Sequence, residues 1–323
     1  MAVVVEQTTD QDFARLAAPY RRELYAHCYR MLGSVHDAED LVQETYLRAW
    51  KAYDGFEGRS SLRTWLHRIA TTACLTALER RRRRPLPTGL GGPAADPSAD
   101  LADGSEVPWL EPVPDALVGA DDPGSVVAAR AGVRLALVAA LQYLQPRQRA
   151  VLVLRDVLRL SAAEVADILD TSVPAVNSLL QRARAQLSRN APVEEEIVEP
   201  ADAKAVLARY VAAFETYDVS AITAVFTEDA VFEMPPFRTW VCGAPHIAEL
   251  ISVHCPASAA GDMVLRPVEA NGQPAFGLYM RDAGGVHRAF GLQVLDLVPE
   301  GVRHAAMFFD TSLFARFGLP DRL

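Results

Sequence analysis

Residues 160–187 read LSAAEVADILDTSVPAVNSLLQRARAQL, and the rest of the chain is best read outward from them. Ser161 fits the N-cap of a helix over AAEVADILD, with Val165, Ile168 and Leu169 turned inward. Asp170, Thr171 and Ser172 make a short turn, and aspartate tolerates the left-handed conformation better than most residues. A second helix, VPAVNSLLQRARAQL, has Pro174 near its first turn and Val176, Leu179, Leu180 and Leu187 as apolar positions. Its other face carries Ala175, Asn177, Ser178, Gln181, Arg182 and Arg184. The pattern is that of a helix-turn-helix, and this face suits the DNA major groove. Amide side chains pair with adenine there, and arginine with guanine or phosphate.

Charge supports the same reading once it is located. The whole chain is acidic, at −9, but residues 130–190 hold nine basic and four acidic side chains. Residues 1–84 are also basic, with 14 cations against 11 anions, whereas residues 85–129 hold eight acids and no base. Only local charge matters for phosphate neutralisation, so two basic blocks separated by an acidic linker are compatible with nucleic acid. The 323 residues predict two or three domains. No apolar run of transmembrane length and no signal peptide is present in the sequence, which predicts a soluble cytoplasmic chain with no membrane partner. Cys28, Cys74, Cys242 and Cys255 are scattered without a C-x-x-C pair, so neither a disulfide framework nor a zinc site is indicated, and no metal or cofactor is expected.

The first block predicts three helices. ARLAAPYRRELYAHCYRMLGS places Leu16, Tyr20, Leu24, Cys28 and Met31 on one face, with Gly33 as a stop. VHDAEDLVQETYLRAWKAY carries Asp37, Asp40 and Glu44 as an acidic stripe opposite Leu41 and Val42. Ser60 or Ser61 can cap a third helix, with Leu62, Leu66, Ile69 and Ala73 inward and Arg63, Thr64, Arg68, Thr71 and Thr72 elsewhere. The run Arg80, Arg81, Arg82, Arg83, Arg84 is expected to end this helix, where cations complement the helix dipole, before Pro85 and Pro87 stop it. The linker 85–129 reads as flexible, except for PWLEPVPDAL at 108–117, whose Trp109 and Leu110 suit docking onto a surface.

In this order and spacing, DAEDLVQETYLRAW, FEGRSSLRTWLHRIA and the 160–187 stretch make the chain similar to an extracytoplasmic-function (ECF) sigma factor of the sigma-70 family, over about residues 13–84 and 130–188. The resemblance implies all-α domains for regions 2 and 4, partners in core RNA polymerase (the beta-prime coiled coil and the beta flap) and promoter DNA, and no catalysis by these blocks. It assigns Asp37, Asp40, Gln43 and Glu44 to polymerase binding. It places Arg59, Ser60, Arg63, Thr64, Arg68 and Thr72 at the −10 element, although asparagine is common in the family where Thr72 stands. Arg80 to Arg84 would contact phosphates, and Ala175, Asn177, Ser178, Gln181, Arg182 and Arg184 would read the −35 element.

Residues 200–323 extend beyond a minimal factor of this kind. A helix over DAKAVLARYVAAFETYD and a shorter one precede strands with turn signals at Asn271-Gly272, Gly284-Gly285 and Glu300-Gly301, which predicts an α+β fold. The order resembles the SnoaL-like group of the NTF2-like superfamily, whose cone-shaped fold encloses a pocket. With the WLEP linker motif, this implies a fused regulatory domain onto which Trp109, Leu110 and Pro112 dock, and room for a small apolar ligand. Some cone folds are isomerases or cyclases with a carboxylate or histidine base, for which Asp229, Glu233, His246 and His254 are the candidates here. Two rival readings are an ordinary helix-turn-helix regulator and a cone-fold enzyme carried on a DNA-binding module.

Overall fold

The computed structural model describes residues 12–80, 82–119, 133–190 and 200–323. The chain divides into two compact units, one of residues 1–84 with 115–192, the other of 85–114 with 193–323. The division departs from the expected linker: residues 85–114 belong to the second unit, while the short helix Asp115–Val118 belongs to the first. Arg81, residues 120–129 of the linker and most of the acidic joint before Pro200 lie outside the described residues.

In the first unit, α1 (Arg21–Leu32), α2 (Val35–Ala52) and α3 (Leu62–Leu78) pack on one another. Gly33 takes the left-handed conformation (φ 69°) that stops α1, Ser34 caps α2 and Ser61 caps α3 through its hydroxyl. Leu24, Cys28 and Met31 are fully buried as the periodicity requires, but Leu16 is left exposed. The acidic-linker helix α4 (Asp115–Val118) packs on α1. Then come α5 (Leu135–Leu141), α6 (Pro146–Leu152), α7 (Ala162–Ile168) and α8 (Val173–Asn190). Buried Arg149 on α6 ties the two halves, donating to the carbonyl oxygens of Met31, Gln142 and Leu144.

α3 ends at Leu78, so the arginine run is not its last turn. Arg80 and Arg82 to Arg84 stand outside the helix, and two of the run's cations are drawn back onto the unit. Arg84 pairs with Asp37 at 2.9 Å, and Arg83 lies over the Tyr143 ring at 4.5 Å.

The second unit opens with α9 (Pro200–Glu215) and α10 (Val219–Val225), followed by β1 (Phe226–Glu233), β2 (Trp240–Cys242) and α11 (Ala244–His254). A meander of β3 (Met263–Ala270), β4 (Gln273–Arg281), β5 (His287–Val298) and β6 (Gly301–Phe308) completes it. The sheet order is β2-β1-β6-β5-β4-β3, antiparallel except for the β1–β6 pair. Register shifts interrupt the β1–β6, β4–β5 and β5–β6 pairings, and such bulges bend strands. The helices supply Val206, Tyr210, Phe214, Ile247, Leu250 and Ile251 to one core with the sheet, in the α+β arrangement expected. Asn271 and Gly272 both take positive φ in the β3–β4 hairpin, as a two-residue turn demands.

Residues 85–114 are built onto this sheet domain rather than left as a tether. Ala94 N–H donates to Trp240 O, Arg238 N–H to Ala102 O, and Thr88 N–H to the Glu233 carboxylate. Val113 and Asn271 exchange two bonds, each 2.9 Å: Asn271 N–H to Val113 O, and Val113 N–H to Asn271 Oδ1. Leu110, Pro112 and Val113 are buried, and Trp109 donates its indole N–H to Gly104 O. Gly104 is the residue type this contact needs, because a Cβ there would stand 2.7 Å from Pro236 O and 2.6 Å from the Trp109 ring.

Candidate nucleic-acid interface

The helix-turn-helix is closed by local chemistry. Ser161 and Glu164 form a reciprocal capping box at the start of α7, and Asp170 takes φ 48° in the turn. Val165, Ile168 and Leu169 are buried, as are Val176, Leu180 and Ala183 of α8. On the opposite face Asn177, Ser178, Gln181 and Arg182 are exposed, with Ala175 half-buried. Arg182 bonds back to Ser178 O and Oγ at 3.3 Å, which holds its guanidinium along that face. Arg184 differs from expectation: it makes a two-pronged pair with Asp156, at 2.9 and 2.6 Å. A carboxylate 28 residues upstream engages the fork that was expected to face DNA.

On α2 the exposed face is Asp40, Gln43, Leu47 and Trp50, at spacings of three and four residues. Leu47 is 58% exposed and Trp50 45%, large for apolar side chains on a packed helix. The acidic stripe is only partly free. Asp37 is tied to Arg84, both largely buried, and Glu44 pairs with Arg48 one turn on at 2.7 Å. Sequence reasoning missed Leu47 and Trp50, though they continue the Asp40–Gln43 phase and could have been found from it.

The residues expected at the −10 element separate into two groups. Arg59, Ser60, Arg68 and Thr72 are exposed; Arg59 pairs with Glu57, and Thr72 Oγ1 donates to Arg68 O. Arg63 and Thr64 instead face the 133–190 half of the same unit. Arg63 donates to Glu23 and to Leu158 O, and Thr64 Oγ1 donates to Glu164 Oε1 at 3.1 Å. In this conformation those two side chains are engaged within the protein. Half-buried Phe56 and Trp65, with rings 4.8 Å apart, pin the 55–61 loop to α3 and escaped the sequence reading. Of the arginine run, Arg80 and Arg82 are exposed, whereas Arg83 and Arg84 are partnered.

Beneath this face lies a titrating cluster. Glu23 accepts bonds from Arg63 and from His67, the latter at 2.6 Å. Burial pushes the Glu23 carboxyl up, but the hydrogen bonds and charges of His67 and Arg63 outweigh it and hold it at about 2. Burial pushes His67 and His27 below the ordinary imidazole value, so both stay neutral in the folded protein at neutral pH. All three groups have depressed folded pKa values, so their stabilisation is present above the unfolded values and lost as pH falls. The unfolding midpoint of the first unit is expected to drop below about pH 6.5 as the histidines charge in the unfolded chain. A further fall should occur between the ordinary 4.5 and about 2, from Glu23. Denaturant titrations at several pH values check this, and Glu23→Gln should remove the lower part of the loss while enlarging the upper part, because Glu23 holds the His67 value up.

In the second unit the four candidate bases are not brought together. Asp229 and His246 are exposed, and His246 bonds to Cys242 O. Glu233 is fully buried and bonds to His304 at 2.7 Å as well as to Thr88 N–H. His254 lines a cavity, but its Nε2 donates to Pro97 O at 3.2 Å.

The two halves of the first unit define a class. Residues 16–84 match the family description Sigma-70 region 2, and residues 134–187 match Sigma-70, region 4. The chain is 60% identical over 315 residues to the ECF RNA polymerase sigma factor SigG of Mycobacterium tuberculosis, covering 97% of this chain and 85% of that one. It is 32% identical to SigW of Bacillus subtilis over 56% of this chain and 89% of the relative. The chain belongs to the ECF RNA polymerase sigma factors, which direct promoter recognition and transcription initiation. The crystal structure of Mycobacterium tuberculosis SigJ aligns with 95% of this chain and 99% of its own at a TM-score of 0.64. At 24% identity that likeness shows a shared fold, the sheet domain included. Among the described residues, no helix is long and apolar enough to cross a membrane.

Proposed function

We propose that this chain acts in the cytoplasm as a non-catalytic promoter-specificity subunit whose sheet domain modulates it in cis. Asp40, Gln43, Leu47 and Trp50 bind the beta-prime coiled coil of core polymerase, and the 133–190 half engages the beta flap. Asn177, Ser178, Gln181 and Arg182 read the −35 element, with Ala175 close to the bases. Arg59, Ser60, Arg68 and Thr72 meet the −10 strand, and Arg80 and Arg82 follow phosphates. Arg63 and Thr64 join them once their bonds to Leu158 and Glu164 are released. A small apolar ligand in the sheet domain is the natural input to such regulation.

The observation that carries this reading is the pairing, on one compact unit, of an exposed polar helix-turn-helix face with an exposed apolar face on α2. Arg182→Ala is expected to cost about 1–3 kcal/mol of −35 discrimination, the range for one good base contact. Unchanged transcription from a −35-dependent promoter would remove Arg182 from the reading face. The whole reading is tested by run-off transcription with purified core polymerase on the chain's own promoter, comparing the full chain with one ending at Asn190. Transcription by the shorter chain alone makes the sheet domain an inhibitor; transcription by the full chain alone makes it an activator. No transcript from either chain on several promoters overturns the reading.

A further inference from the structure

The sheet domain contains a cavity of roughly 440 Å³, within the lower part of the range of small-molecule sites. Its wall is aromatic and sulfur-rich, with Phe214, Phe232, Phe290, Met263 and Met307 among the lining residues. Such side chains favour flat, polarisable partners. Among the described residues, no lysine, arginine or carboxylate lines it, so a charged ligand would be held without one of these as counter-ion, at high cost.

Three polar side chains interrupt this lining: Gln293, His254 and Cys255. Gln293, on β5, is 1% exposed, and its side-chain Oε1 has no hydrogen-bond partner among the described residues. Native proteins rarely leave a buried amide oxygen unpaired, and a primary amide both donates and accepts. The other polar side chains of the wall are already committed or weak: His254 Nε2 serves Pro97 O, and the Cys255 thiol lies 4.0 Å from Met263 Sδ. A hydroxyl, which donates and accepts at one atom, is the group that matches a lone amide.

We propose that this cavity is the binding site for a small neutral aromatic alcohol, its hydroxyl on the Gln293 amide and its ring among the phenylalanines and methionines. The site deepens the cis-regulation reading and rests on it for its purpose. Leu101, from the segment that joins the two basic blocks, lines the cavity, and His254 holds Pro97 of the same segment. A ligand in the cavity therefore touches the segment directly.

The test uses the full chain and 2-naphthol as probe, with naphthalene as the partner lacking the hydroxyl. Titration followed by probe fluorescence should show saturable binding of one molecule per chain, with 2-naphthol about tenfold tighter than naphthalene, the upper range for one neutral hydrogen bond. Gln293→Leu should bring the two probes to within about twofold of each other, the hydrogen bond being gone. Gln293→Met gives the same readout if the leucine variant melts early. Absence of saturable binding, equal affinity of both probes for the unaltered chain, or a preference that survives loss of the amide would each overturn the proposal. Binding is measured without polymerase, so a chain that binds 2-naphthol yet transcribes identically with and without its sheet domain would sink the regulatory reading and leave the site standing.

Discussion

Replacing Leu47 and Trp50 together by alanine is expected to weaken binding to core RNA polymerase by about 30-fold to 1,000-fold, while leaving the fold of the chain intact. Both side chains are exposed on α2, to 58% and 45%, beside Asp40 and Gln43. Surface substitutions usually shift stability by no more than about 0.5 kcal/mol. At an interface the same side chains are anchors: a tryptophan and its apolar neighbour at the centre of a patch are together worth about 2–4 kcal/mol on truncation. The measurement is a titration of labelled core polymerase with each variant, beside a thermal melt of the free chain. Full affinity in the double variant would move the polymerase contact off this face of α2. A melt lowered by many degrees would show instead that the two residues are packed in the free protein.

The second large effect is expected in the sheet domain. Asn271→Ala should destabilise the attachment of residues 85–114 by about 2–5 kcal/mol, from two separate causes. Asn271 sits at φ 59° in the β3–β4 turn, a conformation that alanine adopts only at a cost of about 1–2 kcal/mol. Its Oδ1 also accepts the buried N–H of Val113, which would be left unpaired at about 1–3 kcal/mol. Asn271→Gly keeps the turn and loses only the bond, so it separates the two contributions. Amide hydrogen exchange over residues 85–114 reads the result directly. Exchange should quicken by at least roughly 30-fold in the alanine variant and by less in the glycine variant. Unaltered exchange in both would mean that the segment is held by its other contacts, such as Ala94 to Trp240 and Thr88 to Glu233.

Much of this protein was legible in one dimension because much of it is local. The helix-turn-helix follows from Ser161, Asp170 and the apolar spacing of two short helices, all within 28 residues of chain. Gly33, Ser61 and the Asn271-Gly272 turn act on backbone groups a few positions away, so their residue types announce what they do. The order of the two basic blocks and the helices-then-meander pattern of residues 200–323 set the fold classes in the same way.

What only the tertiary structure decided are pairings between residues far apart in the chain, which leave no local signature. Arg84 reaches Asp37 across 47 positions and Arg184 reaches Asp156 across 28, so two cations expected to meet DNA have carboxylate partners. Arg63 and Thr64 are taken by Leu158 and Glu164, about 100 residues on. An acidic, proline-rich stretch composed like a flexible tether lies on a sheet because Asn271, Glu233 and Trp240 offer its backbone the partners it lacks locally. The exposure of Trp50 and the cavity around Gln293 belong to the same category. Composition and periodicity say which side chains are apolar or polar; whether a given one is covered, paired or left open depends on what the fold brings against it.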